Sequence, residues 1–165
     1  MLLTITGRNP SIQKKLIKQA VDFALPKLLS PAVLKKLKIA IIIKELDDYT
    51  GGCDVIKSRK GNPRSFQIVV DRDISKKAFL ESLFHELVHI KQYALGEMKD
   101  KSVKPNYGDR VSYRGKYYQN DESSPKDEDL YWDSPWEIEA YGREYGLYWR
   151  FKKHLKKLDI QGRRQ

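Results

Sequence analysis

The spacing of apolar positions changes several times along the chain, and each change marks an element. Residues 2–6 read as a short first strand. Ile12, Leu16, Ile17, Ala20, Val21 and Ala24 then recur at helical spacing, which predicts an amphipathic helix over residues 11–25. Ser30-Pro31 has the cap-then-proline form of another helix start and leads into Val33, Leu34 and Leu37. Residues 38–46 are apolar and β-branched enough for a buried strand. Gly51-Gly52 marks a turn ahead of a strand at 53–58, and RSFQIVVD at 64–71 predicts a further strand.

The period then lengthens. A long helix is expected from Ser75, its N-cap, to about Leu95, with Gly96 where a helix C-terminal glycine belongs. Residues 99–133 are polar and aromatic and contain the hairpin-like segment VSYRGKYYQ. So long a connection is not passive in a compact domain, and it is expected to carry function. Ser134-Pro135 opens a last helix that runs to about Leu158. There is no internal repeat, and one domain over residues 1–165 is expected.

Composition narrows the setting. A hydrophobic fraction of 40% and a charged fraction of 33% fit a globular protein. No run approaches the roughly 18–20 apolar residues of a membrane span, so no membrane partner is expected. The start, MLLTITGRNP, lacks the features of a signal peptide, and the lone Cys53 suits a reducing compartment. A cytoplasmic location follows as the expectation. The net charge is +10, from 32 Lys and Arg against 22 Asp and Glu. The basic residues are spread along the chain, and no segment interleaves them with aromatics as a nucleic-acid platform would. Either a generally basic surface or a nucleic-acid contact fits this charge, and both readings stay open.

The chemistry concentrates in His85-Glu86-Leu87-Val88-His89. Four residues make just over one helical turn, so both imidazoles project from one face and can share a Zn²⁺. With His85 at zero, His89 lies about 40° away, and the small residues Ala78 and Ser82 share that side. Phe79, Leu80, Leu83, Leu87, Ile90 and Ala94 gather opposite, facing the core. Glu86 sits on the flank, where it can reach a water on the metal without ligating it.

A catalytic zinc takes three protein ligands and a water. Glu137, in Pro135-Trp136-Glu137-Ile138-Glu139-Ala140, follows His89 by 48 positions. It shares a helix side with Ala140, Tyr141, Glu144, Tyr148, Phe151 and Leu155, all within about 60°. Glu139 lies about 160° away, with Gly146, Arg150, Lys153 and Lys157, and is expected to be solvated. Glu137 is therefore the candidate third ligand. It could instead close a capping box on Ser134. Glu144 is a candidate acceptor for a histidine ring N–H or a salt-bridge partner, and His154 reads as a surface or helix-end residue.

HELVHIKQYALGE followed by SPWEIEAYG resembles the small bacterial and phage-encoded zincin-like metallopeptidases of the gluzincin type. The resemblance covers residues 71–145. It implies an α+β fold in which a small mixed β-sheet packs on the HExxH helix and a C-terminal helix supplies the third ligand. It assigns His85, His89 and Glu137 to Zn²⁺ and Glu86 to general-base catalysis of peptide-bond hydrolysis. Residues 64–71 would then form the sheet edge that pairs with an extended peptide or protein substrate, with residues 99–133 as a rim or lid. Tyr141, Tyr145 and Tyr148 are candidates to stabilise the oxyanion. SprT-like proteins share the HExxH helix but typically use a third histidine, where this chain offers Glu137. Two other functions stay open, a nucleic-acid-associated protease or basic binding protein and an inactive metal-binding zincin scaffold.

Overall fold

A computed structural model describes residues 1–57, 61–101, 110–119 and 131–162. Its elements are β1 (Leu2–Gly7), α1 (Lys14–Leu28), α2 (Pro31–Leu34), β2 (Lys38–Lys44), β3 (Gly51–Lys57) and β4 (Ser65–Asp71). These are followed by α3 (Lys76–Leu95), β5 (Met98–Lys101), β6 (Arg110–Tyr113), β7 (Lys116–Gln119) and α4 (Pro135–Gly162). The protein is α+β, with a small mixed sheet and four helices among the described residues.

The mixed sheet has the order β1-β2-β4-β3. β1, β2 and β4 run parallel, with Leu2 opposite Lys38 and Lys38 opposite Ser65, while β3 runs antiparallel to β4. Alternation fixes which side faces inward. Ile39, Ile41 and Ile43 of β2 and Phe66, Ile68 and Val70 of β4 are buried and join one core with Ile17, Ala20, Val21 and Leu25 of α1. From the helix side, Phe79, Leu83, Leu87 and Ile90 of α3 complete that core. All six residues expected on the apolar side of the motif helix are buried.

β4 is flanked by β2 and β3, so residues 64–71 are not the sheet edge that the resemblance implied. Its run of Phe66, Ile68, Val69 and Val70 is what a strand covered on both sides requires. The edge on that side is β3, whose glycine-rich start and only two β-branched residues, Val55 and Ile56, made it the least conspicuous strand in the sequence.

Residues 99–133 contribute β6, β7 and part of β5 to a second, antiparallel sheet, β5-β6-β7. Tyr113 and Tyr118 of this sheet pack against Trp136 at the start of α4, with ring centroids 6.1 and 5.3 Å away. Of the rim or lid expected over residues 99–133, residues 102–109 and 120–130 lie outside the described residues. Farther along α4, Phe151 meets Phe84 of α3 and Phe23 of α1 at 5.7 and 5.4 Å. α4 is thus held near its start by the second sheet and farther along by α1 and by α3, which carries the histidines.

α3 is terminated as expected. Ser75 Oγ accepts from the Ala78 amide at 3.2 Å, and Gly96 closes the helix in the left-handed region at φ 73°. Arg64 adds a donor to the C-terminal carbonyl of Ala94 at 2.7 Å, favourable at the negative end of the helix dipole. The first helix differs from expectation, running through Pro26 to Leu28. Buried Leu25 and Leu29 hold its last turn despite the lost amide.

Gly7 ends β1 at φ 79°, and a Cβ there would lie 1.9 Å from the Ile43 carbonyl oxygen. Gly7→Ala is therefore expected to destabilise the fold by roughly 2–4 kcal/mol, read as a lower urea midpoint. An unchanged midpoint would contradict this close approach of β1 and β2.

Candidate metal centre

α3 and α4 bring the three expected ligands together. His85 Nε2 lies 3.1 Å from His89 Nε2 and 3.0 Å from Glu137 Oε2, and His89 Nε2 lies 3.3 Å from Glu137 Oε1. All three residues are buried, at 6%, 8% and 5% exposure.

The hydrogen bonds behind this cluster fix what it presents. A carboxylate can only accept, so Glu144 Oε2 takes the His85 Nδ1–H at 2.9 Å. Gln92 gives its amide N–H groups to the Trp136 carbonyl at 2.9 Å and to Glu139 at 3.2 Å. Its Oε1 is left to accept from His89 Nδ1–H at 2.8 Å. With both Nδ1 atoms donating, each neutral ring turns a bare Nε2 lone pair toward the other and toward Glu137. Three acceptors thus converge with no hydrogen between them. Such an arrangement repels itself unless positive charge enters, as protons on the rings or as a metal ion.

The spacing suits a metal. Ligand atoms at ordinary zinc distances on a tetrahedron lie about 3.3 Å apart, close to the separations here. The donor set, two imidazoles and one carboxylate, also suits Zn²⁺. His85, His89 and Glu137 could therefore hold this ion.

The electrostatics of the protein alone are consistent with that charge requirement. Burial disfavours the His85 imidazolium, yet the hydrogen bonds to Glu137 and Glu144 outweigh it and hold His85 up at about 9. The same contest raises His89, through Glu137. Burial also works against the Glu137 carboxylate, but the two imidazoles hold it down at about 2. Glu86 shows the opposite balance, because burial pushes it up to about 7 against the attraction of His89 and His85.

Glu86 is 5% exposed. It faces a cavity of about 440 Å³ between the start of β3, α3 and α4. Ala78 and Ser82, the two small residues of the histidine side, line the same cavity. Ser82 Oγ donates to the Thr50 carbonyl at 3.2 Å, tying α3 to the residue before β3. Beside it, a Cβ on Gly51 would come within 2.4 Å of Ser82 Oγ and 3.4 Å of Glu86 Oε1. A glycine there keeps the strand close to the carboxylate.

Of the tyrosines expected near the site, Tyr141 lines the cavity, its ring 4.5 Å from that of His85. Tyr145 is exposed and Tyr148 is buried in the core, and neither lines the cavity. Tyr131 lies on the cavity wall as well and was missed in the sequence. Burial raises its hydroxyl, reinforced by hydrogen bonding to Tyr141 and by nearby Glu137. His154 is remote from the cluster and packs on Phe23 at 5.1 Å.

Two readings of the α4 start need correction. The Ser134 amide donates to the Tyr131 carbonyl at 3.2 Å, and Glu137 is turned toward the histidines, so the capping box does not form. Glu139 is not solvated. Its carboxylate accepts from Lys91 at 2.7 Å, Tyr113 at 2.8 Å, Arg143 at 2.8 Å and Gln92. Although burial opposes the charge, those donors hold Glu139 down at about 2, with Lys91 foremost. The second sheet covers this side of the first turns of α4, which a projection around one helix cannot reveal.

Gln92 was also missed, because glutamine is a neutral residue at an ordinary helical position. Its role yields a prediction. Gln92→Leu is expected to lower zinc affinity about 10–100-fold, measured by competition with a chelating indicator. Unaltered affinity would show that nothing depends on the His89 ring being held from behind.

No helix among the described residues is long and apolar enough to cross a membrane. Comparison of the chain with protein-family models, with curated proteins and with solved structures finds no match to any of them.

Proposed function

We propose that this chain is a zinc-dependent peptidase on a zincin-like scaffold of the gluzincin type. The observation that carries the reading is the convergence of His85, His89 and Glu137 beside the Glu86 carboxylate, which lines an open cavity. Zinc held by those three residues supplies a Lewis acid that polarises a carbonyl and makes water a nucleophile near neutral pH. Glu86, raised to about 7, takes up a proton there and delivers it to the leaving amine. Glu144 and Gln92 keep both imidazoles in the Nδ1–H tautomer and their rings in place. Tyr141 and Tyr131 offer hydroxyl donors on the cavity wall for a developing oxyanion. The outer edge of β3 offers backbone groups to an extended peptide, in place of the β4 edge first expected. A reducing, cytoplasmic setting fits the single cysteine.

Titrating metal-free protein with zinc tests this directly. One equivalent is expected to bind and to switch on cleavage of an unfolded protein, and a chelator is expected to abolish both. Failure to bind zinc would sink the reading. Tight, stoichiometric zinc with no cleavage of a broad peptide library would leave the inactive scaffold instead.

A second reading, nucleic-acid contact, is favoured by one surface. Tyr145 and Trp149 stand exposed one turn apart on α4, their rings 6.0 Å apart, with Lys152 Nζ 4.8 Å from the Trp149 ring. The helix does interleave aromatic and basic residues, contrary to the linear reading of the sequence. Bases can stack on such a face while lysines meet phosphates. Salt-sensitive retention on single-stranded DNA is the expected result, and passage through the column at low salt removes the reading.

A further inference from the structure

The cavity beside the cluster has a charge opposite to that of the protein. The chain carries a net +10, yet Asp48, Glu81, Glu86 and Glu144 line this cavity and, among the described residues, no lysine or arginine does. We propose that the cavity selects substrates with a lysine or arginine side chain beside the bond that is cut. This inference rests on the peptidase reading above and names its substrate class.

The carboxylates differ in how far they are already engaged. Glu144 gives one oxygen, Oε2, to His85 and is itself part of the cavity lining. Glu81 pairs with Lys77 at 3.4 Å, but the Lys77 side chain is 64% exposed, so water and salt weaken that pair and a substrate cation can replace it. Asp48 is exposed at the rim. Glu86, 5% exposed, faces the same space. Glu137 offsets part of the charge of a bound zinc, so the field in the cavity remains negative.

The remaining walls fit the same ligand. Tyr49, Tyr131 and Tyr141 line the cavity, and Trp132 backs Tyr141 and Tyr131 with ring centroids 5.1 and 5.5 Å away. The rings are therefore braced, with faces available to the apolar stem and charged head of a long cationic side chain. A neutral apolar side chain would gain the ring contact but leave the carboxylates unpaired. A glutamate side chain would be repelled by them.

Binding to zinc-loaded Glu86→Gln protein tests the inference without turnover. Three labelled peptides, Gly-Ala-X-Ala-Gly with X as lysine, norleucine or glutamate, are compared by fluorescence anisotropy. The lysine peptide is expected to bind about ten-fold or more tightly than the norleucine peptide, with the glutamate peptide weakest. Adding Asp48→Asn and Glu81→Gln together is expected to erase most of the lysine-to-norleucine ratio while one zinc is retained. Equal affinities, no binding of the lysine peptide, or a ratio indifferent to those two substitutions would overturn the inference. Wild-type protein that cleaves an unfolded protein but shows equal affinities keeps the peptidase reading and loses this one. Selective lysine-peptide binding without any cleavage by the wild type keeps the cavity's selectivity and sinks the peptidase reading.

Discussion

Glu86→Gln is expected to leave one zinc bound per chain and to lower peptide hydrolysis by about 10²–10⁴-fold, the usual worth of a positioned general base. The substitution is nearly isosteric, so the tight packing around Gly51 and Ser82 is preserved. It removes a carboxylate that burial pushes well above its ordinary range. Relief of a buried charge also means that folding stability should hold or rise slightly. Stability measured by urea titration, zinc content and hydrolysis therefore separate cleanly in this variant. Hydrolysis at the wild-type rate would exclude Glu86 as the base, whatever the zinc content.

The histidine pair was legible because its information is local. Four residues on one helix decide where His85 and His89 point, and the residues opposite them had to be the apolar ones. Glu137 was legible for a similar reason, since its side of α4 also carries Ala140 and Phe151, both fully buried. Glu139 was not. Its burial comes from β6 and from Lys91 on α3, partners 26 and 48 positions away, and helical periodicity carries no information about a second covering layer. The β4 edge failed on the same ground, because strand order depends on where β3 returns and not on the composition of β4. Gln92 and Tyr131 escaped notice because neither residue type announces a role. Only the placement of their partners does so.

The two glutamates at the start of α4 should consequently fail in different ways. Zinc-binding free energies of about 10–16 kcal/mol spread over four ligands amount to about 3–4 kcal/mol each, so Glu137→Ala is expected to weaken zinc binding by about 10²–10³-fold. It removes the only carboxylate in the group formed with His85 and His89 among the described residues. In metal-free protein it also removes the acceptor that favours the charged form of both imidazoles, so stability is expected to fall as well. Glu139→Ala removes an acceptor from Lys91, whose side chain is 7% exposed and which keeps Glu97 at 2.6 Å. With one partner retained, the expected loss is about 2–4 kcal/mol of stability, below that of a fully orphaned buried charge. Zinc affinity should fall less than in Glu137→Ala, through the loosened Gln92 alone. Isothermal titration with zinc and urea unfolding of both variants read the two effects separately. If Glu137→Ala kept wild-type zinc affinity, the residue would not be a ligand.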